Sequence, residues 1–151
     1  MQEPQNFANH KRIDPIYHLV ASPFVLLGGI AAAVNFVLSV TGGAPGREVV
    51  GAFAILLVAT GLVIITIRVR IYALMLQDRV IQTEVALRYA ETTGQAFAPI
   101  AARLSRPQIV ALRFAGNEEL RYLAHRAAEE NLPPTEIKKA IRHWRPDASR
   151  V

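Results

Sequence analysis

Two stretches without Lys, Arg, Asp or Glu, Ile16 to Gly46 and Val49 to Ile67, constrain this chain more than any other feature. The second is 19 residues long. As a helix it extends about 28 Å, close to the roughly 30 Å hydrocarbon core of a bilayer. Within the first, Leu19 to Thr41 is a comparable span that contains Pro23, the pair Gly28-Gly29 and Asn35. Pro23 falls in the opening turns, where a missing backbone donor costs least. The connection, Thr41-Gly-Gly-Ala-Pro-Gly-Arg47, is short and rich in helix breakers, so the two spans are expected to form a tight transmembrane hairpin. The first span starts too far from Met1 and is too long for the apolar core of a cleaved signal, and a second span follows. It is expected to be retained.

Composition sharpens this reading. Apolar residues make up 52% of the 151 and charged residues 19%, below the roughly 25% charged of an average soluble domain. The deficit sits in the two spans, so the rest of the chain is an ordinary polar part joined to an anchor. There is no Cys, which excludes disulfides, thiolate metal sites and Cys nucleophiles. The four His residues, His10, His18, His125 and His143, show no metal-binding spacing. Net charge is +5, from 14 Arg and 3 Lys against 12 acidic residues. The bias toward Arg is not by itself phosphate recognition. Lys11 and Arg12 flank the first span, and Arg68, Arg70 and Arg79 follow the second, whereas the loop holds Arg47 alone. Basic residues stay cytoplasmic, so both termini are expected on the cytoplasmic side of the membrane.

Gly28 and Ala32, like Gly29 and Ala33, stand four apart, a spacing that lets membrane helices approach closely; Gly51 on the second span can serve the same end. Asn35 offers a cross-helix hydrogen bond worth about 1 kcal/mol. No ionisable residue lies near the midplane of either span, as a proton relay or ion path would require. His18 beside Tyr17 reads as a headgroup-level anchor.

Beyond Ile67 nothing stops the second helix. No Pro occurs from Gly51 to Thr93, and Gly94 is the first C-terminal cap. A continuous helix would carry Arg68 to Thr93 about 39 Å out of the membrane, making residues 68–94 a cytoplasmic stalk. Val69, Ala73, Leu76, Val80, Thr83, Leu87 and Ala90 alternate four and three apart, a heptad seam. Leu74, Ile81 and Val85 lie on the opposite side, so the stalk has two apolar faces and needs two partners. The alternative is a helix bent at Arg68 to Arg70 and lying on the headgroups.

Residues 95–151 are expected to form a small three-helix cap. Ser105-Arg-Pro-Gln108 is a capping box opening a helix to about Phe114. Asn117 is expected to cap the next helix, with Glu118 and Glu119 in its first turn and Leu120, Leu123, Ala124, Ala127 and Ala128 as its apolar stripe. A last helix is expected from Thr135 to Trp144. The expected core is Leu112, Phe114, Leu120, Leu123, Ile137, Ile141 and Trp144. The fold class is therefore all-α: residues 1–15 an N-terminal cytoplasmic segment, 16–67 the hairpin, 68–94 the stalk and 95–151 the cap.

These residues also carry a resemblance. Tyr72-Ala-Leu-Met-Leu-Gln-Asp-Arg79, Leu87-Arg-Tyr89, Gln108-Ile-Val-Ala-Leu-Arg-Phe-Ala115, Glu118-Glu119-Leu120, Ile137-Lys-Lys-Ala-Ile-Arg-His-Trp144 and the closing Arg150-Val151 together resemble a bacterial family of unknown function. Its members are small proteins with two membrane spans and a helical cytoplasmic tail, and Gln5 to His10 fits their opening. The resemblance implies the topology and brings no reaction, cofactor or substrate.

The catalytic templates fail: there is no Gly-rich phosphate loop, no His-Glu-x-x-His, no Gly-x-Ser-x-Gly and no carboxylate cluster. No catalytic residue, metal ligand or cofactor is assigned. His125 is expected to face solvent. Asp78 and Arg79 are expected to form a structural ion pair or to meet a partner. Lys138, Lys139, Arg142 and Arg145 make a basic last helix that could meet anionic lipid or an acidic protein face, with nucleic acid ranked last. The expected role is a non-catalytic accessory subunit of a larger inner-membrane complex, such as a respiratory or photosynthetic one. Its partner contacts are assigned to Leu76, Asp78, Arg79, Val80 and Leu87. The alternatives are a self-associating scaffold through the seam and a tethered module binding lipid or nucleic acid.

Overall fold

The computed structural model describes residues 5–10 and 13–146. Lys11, Arg12 and the closing Arg150-Val151 lie outside them. The described residues are helical, with no strand beyond an isolated bridge between Ala115 and Trp144. The chain divides into two units, one of residues 13–73, the other of the N-terminal segment together with the chain from Leu74 onward.

In the first unit a π-helical segment, Ile16–Ala21, passes directly into helix α1, Ser22–Thr41. Pro23, which has no N–H to return to the preceding turn, stands at the change from π-helical to α-helical register. Gly42 to Pro45 then reverse the chain, with the Gly42 amide bonded to the Leu38 carbonyl (2.8 Å) and Gly43 in the left-handed region. Helix α2 follows as Gly46–Thr93, 48 residues without interruption. It ends at Gly94, whose φ of +67° lets its amide return to the Ala90 carbonyl (2.9 Å). The expected uninterrupted helix is therefore present, and starts five residues before Gly51.

Contacts between α1 and α2 in this unit are aromatic and small-residue ones. The Phe36 and Phe53 rings lie 5.5 Å apart. The Tyr17 hydroxyl donates to the Thr66 carbonyl (3.1 Å), and the Arg70 guanidinium lies over the Tyr17 ring. Ala32 and Ala52 are buried. Elsewhere the helices are bare: within the most apolar 18-residue window of each, the protein buries 6%. A core helix of a soluble protein is mostly covered.

The second unit has a conventional apolar core. Ile81, Val85 and Tyr89 from α2 pack with Phe97, Ile100, Leu104, Ile109, Leu112, Phe114, Leu120, Leu123, Ile137 and Ile141. Around α2 stand α3 (Ala98–Ala101), α4 (Arg106–Leu112), α5 (Asn117–Glu129) and α6 (Pro134–Ala140). The stripe Leu120, Leu123, Ala124 and Ala127 is buried as its 3.6-residue period dictates. Every expected core residue is buried except Trp144, which packs on the core partly covered.

Three local expectations are corrected. A fourth short helix, α3, precedes the three expected ones; Pro99 in its first turn starts it. The N-cap of α5 is Gly116, one residue before Asn117. Gly116 lies against the chain at His143, and a Cβ there would stand 2.9 Å from the His143 carbonyl oxygen. Only glycine fits this close approach. Finally, α6 stops at Ala140 and Ile141 is extended. The amides that would have continued the helix are taken elsewhere. Those of Arg142 and His143 donate to the Glu119 carboxylate (3.1 and 3.0 Å), and that of Arg145 to the Phe114 carbonyl (2.8 Å). Without i−4 carbonyl partners the helix ends.

Candidate functional site

Helix α2 presents two different faces within the second unit. Ile81, Val85 and Tyr89 point into the core, and Leu74 is half-buried. About 150° around the helix, the seam residues Leu76, Val80 and Leu87 are 65%, 51% and 59% exposed. Of the two apolar faces read from the sequence, the chain covers one itself. Arg79 and Glu84 flank the open face and both are exposed. Arg88, one turn after Glu84, has turned away. It is buried, donating from Nη1 to the Arg113 carbonyl (3.1 Å) and from Nη2 to the Ala115 carbonyl (3.0 Å).

Asp78 and Arg79 do not form the structural ion pair that was one expectation. Asp78 is half-buried and Arg79 exposed, and the ion pairs described, Arg126 with Glu130 and Lys139 with Glu136, lie elsewhere. Adjacent helical side chains diverge by about 100°, which separates the two.

The basic residues do not share one helix. Lys138 and Lys139 lie on α6, whereas Arg142 and Arg145 lie past its end. Lys138 is half-buried, with its ammonium 3.1 Å from His10 Nε2 and over the Phe114 ring. Lys139 pairs with Glu136 (2.9 Å). Arg142 and Arg145 remain exposed. Arg145 lines a groove of about 690 Å³ with Arg88, Glu91, Glu118 and His143. Burial, and then the proximity of Arg145, hold the Arg88 pKa below its ordinary value, and Glu84 partly offsets this. Since both Nη atoms already serve backbone carbonyls, Arg88 is a strut between α2 and the turn after α4.

Three side chains have roles that short-range periodicity did not reveal. Glu119 accepts from three backbone amides, those of Gly116, Arg142 and His143, and so ties the start of α5 to the chain after α6. Gln108 does more than the capping box asks. Its Oε1 accepts from the Ser105 amide (2.6 Å), while its Nε2 donates to the Leu132 carbonyl (2.9 Å). His125 is half-buried rather than solvent-facing, with Nε2 3.1 Å from the Tyr89 hydroxyl.

His10 is the largest surprise. It is buried against the Phe114 and Trp144 rings (5.6 and 5.8 Å), stacked on Phe7, with Nδ1 2.7 Å from the Phe7 carbonyl. The N-terminal segment is thus part of the same core as α4 and the chain after α6. A lone His near the start of a sequence carries no signal for this.

In the first unit, the residues assigned to helix packing separate by environment. Gly29 faces Val63 and Ala32 is buried, while Ala33 is half-buried. Gly28 and Gly51 have no atoms from other residues where a Cβ would stand, and Asn35 is exposed. Gly28, Phe24, Ala54 and Val58 line an open apolar groove of about 540 Å³. Among the described residues no three His, Asp or Glu side chains gather into a metal-binding group.

The fold therefore defines an all-helical protein with two helices long and apolar enough to cross a membrane. The whole chain, residues 1–151, matches a family of unknown function (DUF6526), and the protein belongs to that family. No curated protein and no solved structure matches it.

Proposed function

We propose that this protein is a non-catalytic membrane anchor and docking subunit, holding a partner protein at the inner surface of a bacterial cytoplasmic membrane. The carrying observation is the open apolar face of α2 at Leu76, Val80 and Leu87, on a helix whose other face is already filled by the chain's own core.

Several features support the topology within this proposal. Most Leu, Ile and Val along α1 and the first half of α2 are more than half exposed, which suits lipid and not water. The N-terminal segment packs with Phe114 and Trp144, so the flanks of the hairpin meet on one side, as two crossings require. The basic residues Arg68, Arg70 and Arg79 make that side cytoplasmic, against Arg47 alone in the loop. Past Arg68 the helix acts as a stalk, and the remaining short helices form the cap around it. Arg79 sits beside the docking face and contributes polar contacts there, whereas half-buried Asp78 lies on the covered side of α2 with Ile81 and Val85 and is not part of the docking face. The lipid and nucleic-acid alternatives draw less support, because Lys138 and Lys139 are engaged within the chain and the basic residues are dispersed.

The test is gentle solubilisation of native membranes followed by native electrophoresis. The protein is expected in a band larger than one copy, and Leu76→Arg with Leu87→Arg is expected to release it. Migration as a single copy at the mildest detergent condition overturns the proposal.

A further inference from the structure

We infer that the open face of α2 is filled by a second copy of this chain, in a parallel dimer that sets Arg79 of each copy against Glu84 of the other. This rests on the membrane-anchored docking reading above and names its partner.

The seam has heptad spacing: Leu76, Thr83 and Ala90 occupy d positions, Val80 and Leu87 a positions. β-Branched residues at a with Leu at d favour two strands in parallel, and Val80 with Leu76 supplies that pair. The same register puts Arg79 at g and Glu84 at e. In a parallel dimer a g residue faces the e residue five places on in its partner, so Arg79 meets Glu84 twice by symmetry. An antiparallel dimer would set Arg79 against Arg79 and Glu84 against Glu84. The charges therefore select the parallel arrangement. Anchoring selects it independently, since two copies inserted in the same sense carry their α2 helices in the same direction.

The structure leaves both charged groups available. Arg79 and Glu84 are exposed, and neither belongs to the ion pairs described. The natural intramolecular partner of Glu84, Arg88 at i+4, is committed to two backbone carbonyls in the core. The core-facing residues Ile81 and Val85 lie on the far side, so dimerisation would leave the cap packing untouched. The seam is short and contains Thr83. Confinement to the membrane compensates by raising the effective concentration of one copy around another.

The protein has no Cys, so single-Cys variants report without background. In native membranes, oxidation of Leu76→Cys and of Leu87→Cys is expected to trap a disulfide-linked pair of identical chains. Met75→Cys is also solvent-facing, at 50% exposure, but lies outside the seam, and is expected not to do so. In the Leu76→Cys background, Arg79→Glu is expected to lower the trapped dimer about fivefold, two exposed ion pairs having become repulsive. Co-expressing the Arg79→Glu chain with a Glu84→Arg chain restores both pairs. The mixed dimer is expected to exceed either self-pair. Cross-linking of Leu76→Cys, by a thiol-reactive probe, to a different polypeptide only would overturn the homodimer and leave the docking role standing. Cross-linking to no protein would overturn both. A trapped dimer that ignores charge reversal, with no preference for the mixed pair, would overturn the parallel Arg79–Glu84 register.

Discussion

The two units contain the same kinds of side chain in opposite dispositions. Leu27 and Ile65 of the first unit are 64% and 58% exposed, while Leu112 and Ile137 of the second are completely buried. The first unit holds its helices with few polar ties, the hydroxyls of Ser39, Thr41, Thr60 and Thr66 bonding back to carbonyls of their own helix. The second is laced by long-range hydrogen bonds through Arg88, Gln108 and Glu119. The difference teaches that hydrophobic residues say where the chain avoids water, and only their exposure says what replaces it. In the second unit the replacement is the protein itself. In the first, on the proposed reading, it is lipid.

Substitutions can break this comparison. The largest effect is expected from Phe114→Ala. Its ring is fully buried against Trp144 and His10, and its loss should cost about 3–5 kcal/mol. Trp144 is the only tryptophan, so denaturant unfolding followed by its fluorescence reads this directly. Leu27→Ala should leave the same transition within about 0.5 kcal/mol, because the protein covers only a minor part of Leu27. Equal losses would erase the distinction between the units.

Next comes a charge in the first unit. Leu57 is exposed, and in a water-facing helix Leu57→Arg would be nearly silent. Near the middle of a lipid span it should cost about 2.5–3.5 kcal/mol of insertion, read as the fraction of chains resisting carbonate extraction. Unchanged extraction would place this helix outside the bilayer.

Smaller effects test the polar ties. Glu119→Ala removes the acceptor of three amides and is expected to destabilise the second unit by about 1–3 kcal/mol, while its neighbour Glu118→Ala should fall within about 0.5 kcal/mol. Gly116→Ala forces a Cβ against His143 and is expected to cost about 1–3 kcal/mol in the same unfolding assay. Gly51→Ala meets open space and should change helix stability by no more than about 1 kcal/mol, in the favourable direction.

Local pattern made some of this legible. The uncharged stretches marked two long apolar helices, the absence of Pro up to Gly94 marked the second as continuous, and the 3.6-residue stripe of α5 marked its buried face. What escaped was set by partners distant in sequence. The early end of α6 depends on Glu119, more than twenty positions back. The burial of His10 depends on Phe114 and Trp144. The burial of Arg88 depends on two carbonyls at the end of α4 and just after it, more than twenty positions on. The open face of α2 was half legible: spacing marked two apolar faces, and only packing decided which one the chain keeps for itself.

The corner built from Phe7, His10, Phe114 and Trp144 has a consequence for biosynthesis. His10 and Lys138 are separated by 128 positions, so the early segment leaves the ribosome long before its seat exists. Both apolar helices are translated in the interval. The aromatic corner can close only when the chain through Trp144 has emerged, which makes its assembly a late event. A ribosome stalled short of that tryptophan would hold a nascent chain whose leading segment is still accessible to proteases.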